Sequence, residues 1–387
     1  MGANKYTRLS QSQVFFICDA FVRTGDKTGD IAKAFVQRFK VKLHRTQVYE
    51  AIREGHRRGF FHVVSPRDET LTERMLDRFV RSRTTRSAGR APESGAGSLP
   101  AKEKTIEVVT QGSEVSLVHV ALKAARLAFD VITATYARLL KEAREGRPGA
   151  PKSENDVAVH LGFGGGGTTN LVARYLAELL RSAMSPPRLV LHALTSGFNV
   201  CEPENAPGSF FSYFQGRPDV SFRGLFAPAY VMAEDWEKTL RLHGVRESFA
   251  EKHKLHVIIT ALASAADDHG ELNRFLRLNT EYGPQTRSIL DKEEKRIGDV
   301  MYRPFAEHGP ITRPVAIRTV TLFEPTELVT FAAEEGKSVI LVAGPCADPA
   351  CRRSRSDALL PLLREPSLDV WTHLVTDDLT AQACLAA

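Results

Sequence analysis

A glycine-rich segment at residues 162–169 has the residue types and the spacing that best suit binding chemistry. It reads GFGGGGTT, follows an apolar run at residues 157–161, and precedes a helical pattern at residues 170–182. Glycines let backbone N–H groups approach an anion closely, and the N-terminus of a helix adds partial positive charge. The segment therefore predicts a cradle for the phosphate of a small metabolite. Its predicted residues are Gly162, Gly164, Gly165, Gly166, Gly167, Thr168 and Thr169.

Two familiar phosphate-binding signatures do not fit this segment. A Walker loop requires a lysine after its last glycine, and none follows here. The spacing of Gly162, Gly164 and Gly167 fits GxGxxG, but the dinucleotide fingerprint also needs an acidic residue at the end of the second strand. This strand is predicted to end at Leu194, and no acidic residue lies there. A tight strand-to-helix turn without a ligand is the alternative to the phosphate cradle.

The positive charge of the chain is concentrated towards its N-terminal end. Residues 1–90 contain 19 Lys and Arg and 9 Asp and Glu, whereas the whole chain of 387 residues has a formal net charge of +6. The rest of the chain is therefore acidic. This asymmetry is typical of a protein in which one domain contacts a polyanion.

Three amphipathic helical patterns fill the basic region, at Gln11–Thr24, residues 29–39 and residues 44–58, and residues 60–64 predict a strand. This order predicts a winged helix-turn-helix whose third helix contacts double-stranded DNA. A plain three-helix bundle with a solvated charged face is the alternative. Arg and Gln side chains can read base edges, and Thr and Tyr can hold phosphates. The residues predicted to contact DNA are Arg45, Thr46, Gln47, Tyr49, Arg53 and Arg57.

Composition breaks divide the chain into four parts. Residues 1–80 form the predicted DNA-binding domain, and residues 81–104 are a linker rich in Ser, Gly, Arg and Pro. A strand and a long helix follow at residues 105–155, where the helix predicts either a dimer contact or a core helix. In residues 156–387 short apolar strands alternate with helices, which predicts an α/β domain with a mostly parallel sheet.

Other features exclude several classes of protein. The apolar runs are much shorter than the ~20 residues of a membrane span, and the N-terminus carries no secretory signal, so we expect a cytoplasmic protein without membrane contact. Cys346 and Cys351 have four residues between them, which is wider than a zinc-binding Cys-x-x-Cys. We expect two loop thiols and no metal. We also expect no cofactor and no catalytic residue, since Asp267-Asp268-His269-Gly270 fits a charged turn better than a proton-transfer site.

Five segments in order resemble the SorC/DeoR-type sugar-binding transcriptional regulators. DIAKAF and LHRTQVYEAIREGHRRGFFHV are similar to the family's helix-turn-helix, and GFGGGGTT stands where the family has its phosphate loop. FRGLFAPAYVM is similar to its leucine-proline-alanine strand. The family's G-D-…-G segment resembles IGDVMYRPFAEHG. Its closing strands and helices resemble SVILVAGP followed by LVTDDLTAQACL. The matching residues are Gly298, Asp299, Gly309, Val375, Thr376, Asp377 and Ala381.

The resemblance implies a winged helix-turn-helix joined to a Rossmann-like sheet domain related to sugar-phosphate isomerases. It also implies a homodimer or homotetramer whose affinity for its operator DNA is controlled by a phosphorylated sugar. An isomerase-like or deaminase-like enzyme of sugar phosphates, and a regulator whose second domain is only an oligomerisation scaffold, are the two alternatives.

Three departures from the family pattern affect these expectations. Glu50 lies where the recognition helix usually has a basic residue, and residues 261–263 read Ala-Leu-Ala where the family has Gly-Ile-Gly. Pro345 follows Gly344, so the family's second glycine and its lysine are missing. Three arginines follow shortly afterwards, and guanidinium groups suit phosphate. We predict that Arg353 replaces the missing lysine as a phosphate ligand.

Overall fold

The computed structural model describes residues 9–25, 27–58, 60–61, 65–82, 102–111, 116–149, 151–197, 202–346, 348 and 351–387. The chain divides into two compact units, Met1–Val64 and Ser65–Ala387. No helix among the described residues is long and apolar enough to cross a membrane.

The described part of the first unit contains three helices, α1 (Gln11–Thr24), α2 (Thr28–Phe39) and α3 (Arg45–Arg57). Ser10 caps α1 by accepting a hydrogen bond from the Gln13 amide, and Gly25 ends the helix in a left-handed conformation. The apolar stripes of the three helices meet in one small core around Ile17, Phe35 and Val48. The predicted helices are therefore present. The predicted strand at residues 60–64 falls largely on residues 62–64, which lie outside the described residues.

The second unit is built on a central sheet. Its strands are β1 (Thr105–Val109), β2 (Val159–Phe163), β3 (Leu189–Ala193), β4 (Val220–Arg223), β6 (Val257–Ser264), β11 (Ser338–Ala343) and β12 (His373–Asp377). These seven strands are all parallel, in the order β1-β12-β11-β6-β2-β3-β4. The predicted mostly parallel α/β sheet is confirmed.

Short antiparallel strands extend the sheet where β6 ends. They are β7 (Gly298–Val300), β8 (Arg303–Ala306) and β9 (Gly309–Pro310), while β5 (Tyr230–Met232) and β10 (Ile317–Thr319) form a separate pair. The segment FRGLFAPAYVM is therefore not one strand, because it contains the end of β4, a loop and β5. Periodicity alone does not reveal strands of two to four residues.

Helices cover both faces of the sheet, as a buried parallel sheet requires. One face carries α5 (Leu117–Arg144) and α6 (Gly167–Ser182), with α7 (Pro207–Phe210) nearby. The other face carries α4 (Glu69–Leu76), α12 (Pro325–Ala333), α13 (Ser356–Arg364) and α14 (Asp378–Ala386). The remaining helices are α8 (Trp236–Leu240), α9 (Val245–Glu251), α10 (Glu271–Leu278) and α11 (Gly283–Arg287).

Two details of the predicted organisation change. The predicted N-terminal domain ended at residue 80, but the structure places the boundary between Val64 and Ser65. The reason is that α4 buries Leu71 and Met75, and the turn after it buries Phe79, in the core of the second unit. The long helix α5 is a core helix, because Val120, Ala124 and neighbouring residues pack under the sheet. A dimer contact through α5 stays a prediction.

Candidate functional site

A cavity of about 300 Å³ opens at the carboxyl ends of β2, β6 and β11. Ligands of open α/β sheets bind at this edge, because the loops that follow the strands converge there. The volume suits a small metabolite. The side chains and loops around the cavity come from Gly165, Gly166, Gly167, Thr168, Glu202, Asn205, Ala261, Leu262, Ala263, Asp267, His269, Gly270, Glu271, Arg274, Asp299, Met301, Tyr302, Cys346, Asp348 and Arg355.

The glycine loop lies at the cavity in part. Gly162 belongs to β2, where a Cβ atom would come within 2.6 Å of the Leu194 side chain, so this glycine serves packing. A Cβ atom at Gly165 would overlap the hydroxyl of Tyr302, which covers the loop. Gly166 has φ of 106°, a conformation that other residues rarely adopt, and it precedes the first residue of α6.

Some predicted donors of the cradle are already used within the fold. The amide of Gly164 donates to the Ile259 carbonyl at 2.9 Å, and that of Gly166 donates to the Asn205 carbonyl at 2.9 Å. The hydroxyl of the fully buried Thr169 donates to the Gly165 carbonyl at 3.4 Å.

The start of α6 is the part of the cradle that can still bind an anion. The first amides of a helix have no acceptor within it, so those of Gly167, Thr168 and Thr169 are oriented for an external acceptor. Thr168 also lines the cavity. The predicted cradle therefore reduces to the start of α6 and the Thr168 side chain.

A polar network covers the start of α6. The side-chain Nδ2 of Asn205 donates to the carboxylates of Glu202 at 2.9 Å and Glu271 at 2.7 Å, and Arg274 pairs with Glu202 at 2.5 Å. Burial raises the pKa of the Glu271 carboxyl, so this group is more easily protonated than an exposed glutamate. Sequence patterns did not indicate these residues, because they belong to separate segments after β3 and β6.

Of the three arginines at residues 352–355, Arg355 lines the cavity, rather than the predicted Arg353. The exposed Arg353 side chain donates to the Ala266 carbonyl at 2.7 Å. Arg355 is buried, donates to the Leu262 carbonyl, and lies 3.4 Å from the Asp267 carboxylate. Its Nε is buried without a hydrogen-bond partner among the described residues. In the sequence, the only indication of an arginine at the cavity was the cluster Arg352-Arg353-Ser354-Arg355. The cluster did not indicate which of its arginines lines the cavity.

Carboxylates outnumber cationic groups around the cavity. Two arginines, Arg274 and Arg355, face five acidic side chains. Burial raises the pKa of the Asp299 carboxyl to about 6. An excess of carboxylates favours hydroxyl donors and cations, and it leaves the start of α6 as the part of the cavity suited to an anion. The five acidic side chains are Glu202, Asp267, Glu271, Asp299 and Asp348.

A thiol, an imidazole and a carboxylate meet at one side of the cavity. The Sγ of Cys346 lies 3.4 Å from Oδ1 of Asp267 and 3.4 Å from Nδ1 of His269. Burial raises the pKa of the Cys346 thiol to about 12. Asp267 is 2% exposed, so the segment predicted as a charged turn has a buried carboxylate at its start.

The surface of α3 exposes most of the residues predicted to contact DNA. Arg45, Tyr49 and Arg53 follow one another at intervals of four, so they share one helix face, and Thr46 is exposed beside them. Arg45 donates to the Tyr49 hydroxyl at 3.3 Å, which lowers the pKa of that phenol.

Gln47 and Arg57 fit the predicted DNA surface less well. Gln47 is half-buried, and its Oε1 accepts a hydrogen bond from the His44 amide at 2.9 Å, so it caps α3. Arg57 is the last residue of α3, and its side chain lies outside the described residues.

No family model and no curated protein matches the chain. Solved structures match it over most of its length. The full-length sorbitol operon regulator SorC from Klebsiella pneumoniae has 14% identity and a TM-score of 0.57, and the match covers 98% of this chain and 100% of that one. A DeoR family transcriptional regulator from Listeria monocytogenes has 15% identity and a TM-score of 0.51, with 72% and 93% covered. The fold is therefore that of the SorC/DeoR-type regulators, as the sequence resemblance implied.

Proposed function

We propose that the protein is a DNA-binding transcription regulator whose affinity for its operator is controlled by a phosphorylated sugar or a related metabolite. The first unit would bind double-stranded DNA through α3, and the second unit would bind the effector in the cavity at the carboxyl edge of the sheet.

The observation that carries the proposal is the combination of two features in one chain. A three-helix unit exposes Arg45, Tyr49 and Arg53 on one helix face. A separate α/β unit contains a cavity of about 300 Å³ beside the start of α6. An enzyme of sugar phosphates would need the cavity and has no use for the basic helix. The likeness in fold to a full-length operon regulator supports the same interpretation.

The polar groups of the cavity suggest how such an effector would bind. A phosphate would lie at the start of α6, where it would accept hydrogen bonds from the Thr168 hydroxyl and the first amides of the helix. The sugar hydroxyls would donate to the carboxylates of Glu202 and Asp299. The buried Arg355, which has a donor to spare at Nε, would bind an oxygen of the effector.

A regulator of this kind would act in the cytoplasm as a homodimer or homotetramer, because operators with two half-sites are bound by symmetric proteins. We propose a binding role and no catalysis for the cavity. The Asp267 carboxylate is paired with Arg355, and the Cys346 thiol is 3% exposed, so neither is placed as an acid, base or nucleophile towards a substrate.

The proposal is tested by measuring DNA binding and effector binding with the full-length protein. Selection from a random duplex library would yield a preferred DNA site, and fluorescence anisotropy at fixed salt would give its Kd. A panel of phosphorylated sugars, with the same sugars unphosphorylated as controls, would then be added at about millimolar concentration. We expect at least one phosphorylated sugar to change the Kd at least about tenfold, which is ~1.4 kcal/mol of coupling.

Three results would contradict the proposal. Failure to select any DNA sequence over random duplex would exclude operator recognition. Specific DNA binding that no compound of the panel alters would instead favour a second unit that serves only as a scaffold. Turnover of a panel compound would favour the enzyme.

A further inference from the structure

Four side chains from two distant segments of the chain converge at one side of the cavity. Asp267 and His269 follow β6, whereas Cys346 and Cys351 follow β11. Each of the four offers one ligand atom, and these atoms all lie within 4.8 Å of one another. We propose that these side chains bind a divalent transition-metal cation of the zinc class.

The distances among three of the ligand atoms fit a tetrahedral site. Cys346 Sγ lies 3.4 Å from Asp267 Oδ1 and 3.4 Å from His269 Nδ1, and these last two atoms are 3.3 Å apart. Ligands at ~2.0–2.3 Å from a tetrahedral zinc ion are separated from each other by about 3.3–3.8 Å. A cation can therefore bind between these atoms with small movements of the side chains.

The residues around the four ligands would orient them for a metal. Nε2 of His269 lies 3.5 Å from Oδ2 of Asp348, so Asp348 can accept a hydrogen bond from the remaining imidazole N–H and leave Nδ1 for the cation. The other oxygen of Asp348 accepts from the Cys351 amide at 3.2 Å. Arg355 binds Oδ2 of Asp267, which leaves Oδ1 directed at the cluster. Outer groups of this kind surround protein zinc sites.

The donor set and the local charge favour a borderline-soft cation. Two thiols, one imidazole and one carboxylate are ligands that zinc prefers, whereas magnesium and calcium prefer oxygen. Binding converts two thiols to thiolates and releases two protons to solvent. Arg355 then balances the resulting negative charge of the ligands. The surplus of carboxylates around the cavity further stabilises a cation there.

Two other uses of the cluster account for fewer of its contacts. A Cys346–Cys351 disulfide would not explain why Asp267 and His269 both contact the Cys346 sulfur. A cysteine nucleophile needs a thiolate that is accessible to substrate. Cys346 is 3% exposed and has the Asp267 carboxylate 3.4 Å from its sulfur, which disfavours a thiolate unless a cation is present.

Four protein ligands complete a tetrahedral shell, so the cation would act as a clamp between the loops after β6 and β11. Both loops line the candidate effector cavity, and the metal would hold its wall in place. The inference does not depend on the proposed regulatory function, because metal binding is measured without DNA or sugar.

The test uses the full-length protein, reduced and freed of metal by a chelator. Titration with Co²⁺ is expected to give the absorption bands of tetrahedral cobalt together with a sulfur-to-metal charge-transfer band. Added Zn²⁺ is expected to displace the Co²⁺ and abolish both. Elemental analysis after dialysis is expected to find one Zn²⁺ per chain. Competition with a chromophoric chelator then gives the Kd.

Variants assign the ligands. C346S, C351S and H269Q are each expected to lose the cobalt spectrum and to weaken Zn²⁺ binding beyond the ~10–100-fold range of an outer-group change, and D348N is expected to fall within that range. C384S, at a buried cysteine outside the cluster, and H243Q, at an exposed histidine, are matched controls that should keep full binding. Circular dichroism confirms that each variant is folded.

Three outcomes would overturn the proposal. The reduced wild-type protein could bind neither Co²⁺ nor Zn²⁺ in stoichiometric amount, or the folded C346S/C351S double variant could bind as well as the wild type. The third outcome is a Cys346–Cys351 disulfide, found by mass spectrometry, in a protein whose reduced form binds neither Co²⁺ nor Zn²⁺. This result would make the two cysteines a redox pair. DNA binding measured on the same samples keeps this test separate from that of the regulatory function.

Discussion

The guanidinium of Arg355 lies 3.4 Å from the carboxylate of Asp267, and the two side chains are only 10% and 2% exposed. Arg355 immediately precedes α13, whereas Asp267 follows β6, so the pair joins two segments that are far apart in the chain. The other carboxylate oxygen of Asp267 lies 3.4 Å from the Cys346 sulfur, so the pair also places a positive charge near this thiol. The pair thus links the candidate effector cavity to the proposed metal site.

Removal of this arginine should strongly destabilise the second unit. Arg355→Met keeps much of the side-chain volume but leaves the buried Asp267 without its partner, and breaking one side of a buried ion pair costs ~3–5 kcal/mol. Urea unfolding of the full-length protein measures the loss. Arg353→Met is the matched control, since Arg353 is exposed and a surface change costs within about 0.5 kcal/mol. Equal losses of unfolding free energy in the two variants would contradict the role of Arg355 as the buried partner of Asp267.

The start of α6 should control affinity for a phosphorylated effector. Thr168→Val keeps the shape but removes the hydroxyl donor, and a charge-assisted hydrogen bond is worth ~1.5–3 kcal/mol, so affinity should fall roughly ten- to a hundredfold. Gly166→Asp should weaken binding further, because it adds a negative charge and a side chain at a φ of 106°. Calorimetry measures both. Operator binding without effector should be unchanged, and unchanged effector affinity in both variants would exclude phosphate binding at this position.

The exposed face of α3 should carry operator affinity. Arg53→Ala is expected to weaken binding by ~1–3 kcal/mol, as for a lost base contact. Gln47→Ala should act mainly on stability, by about 0.5–2 kcal/mol, because its side chain caps α3 on the His44 amide. Anisotropy at fixed salt and thermal unfolding separate the two effects. Arg23→Ala, which removes an exposed arginine of α1, is the control. An Arg53 variant that binds as well as this control would exclude the predicted interface.

Stability should fall as the pH drops below about 6.5. His160 and His192 lie 2.9 Å apart, and His256 accepts from the His160 amide. Burial lowers the pKa of His160 to about 4 and those of His192 and His256 to about 3. The unfolded chain, with histidine pKa values near 6.5, therefore takes up protons that the folded chain does not. The stabilisation is present above pH 6.5 and is lost as the pH falls towards 3.

Urea unfolding at several pH values measures this effect. Each buried histidine steepens the dependence by up to about 1.4 kcal/mol per pH unit. His192→Asn should flatten the slope between pH 6 and pH 4, whereas His243→Asn, at an exposed histidine, should not. A slope that is the same in both variants would mean that the buried cluster does not titrate as its burial implies.

The boundary between the two units predicts which fragments are stable. A fragment of residues 65–387 should fold, because it keeps α4 and the core side chains Leu71, Met75 and Phe79. A fragment that begins at residue 105 loses all three, each worth ~1.5–3 kcal/mol of burial. Thermal unfolding should show a markedly lower Tm for the shorter fragment. Equal Tm values would contradict the contribution of α4 to this core.

Local sequence patterns determined much of the architecture. The period of the apolar residues predicted α1 at its observed bounds and α2 and α3 near theirs, and the apolar run at residues 157–161 overlaps β2. This works because side chains alternate or repeat within a helix turn or a strand, so the signal lies among neighbours in the chain. The glycine loop was found in the same way, since a strand, a run of glycines and a helix follow one another directly.

The tertiary structure alone decided which residues share the cavity. Arg355 and not Arg353 is buried at its wall, Thr169 and Gly162 serve the fold, and α4 belongs to the second unit. The spacing of Cys346 and Cys351 gave no indication of a metal site. The other two members of their cluster, Asp267 and His269, lie about eighty residues earlier in the chain, so no local motif connects the four. Parallel strands bring such distant loops to one edge of a sheet, and no local periodicity records which loops will meet there.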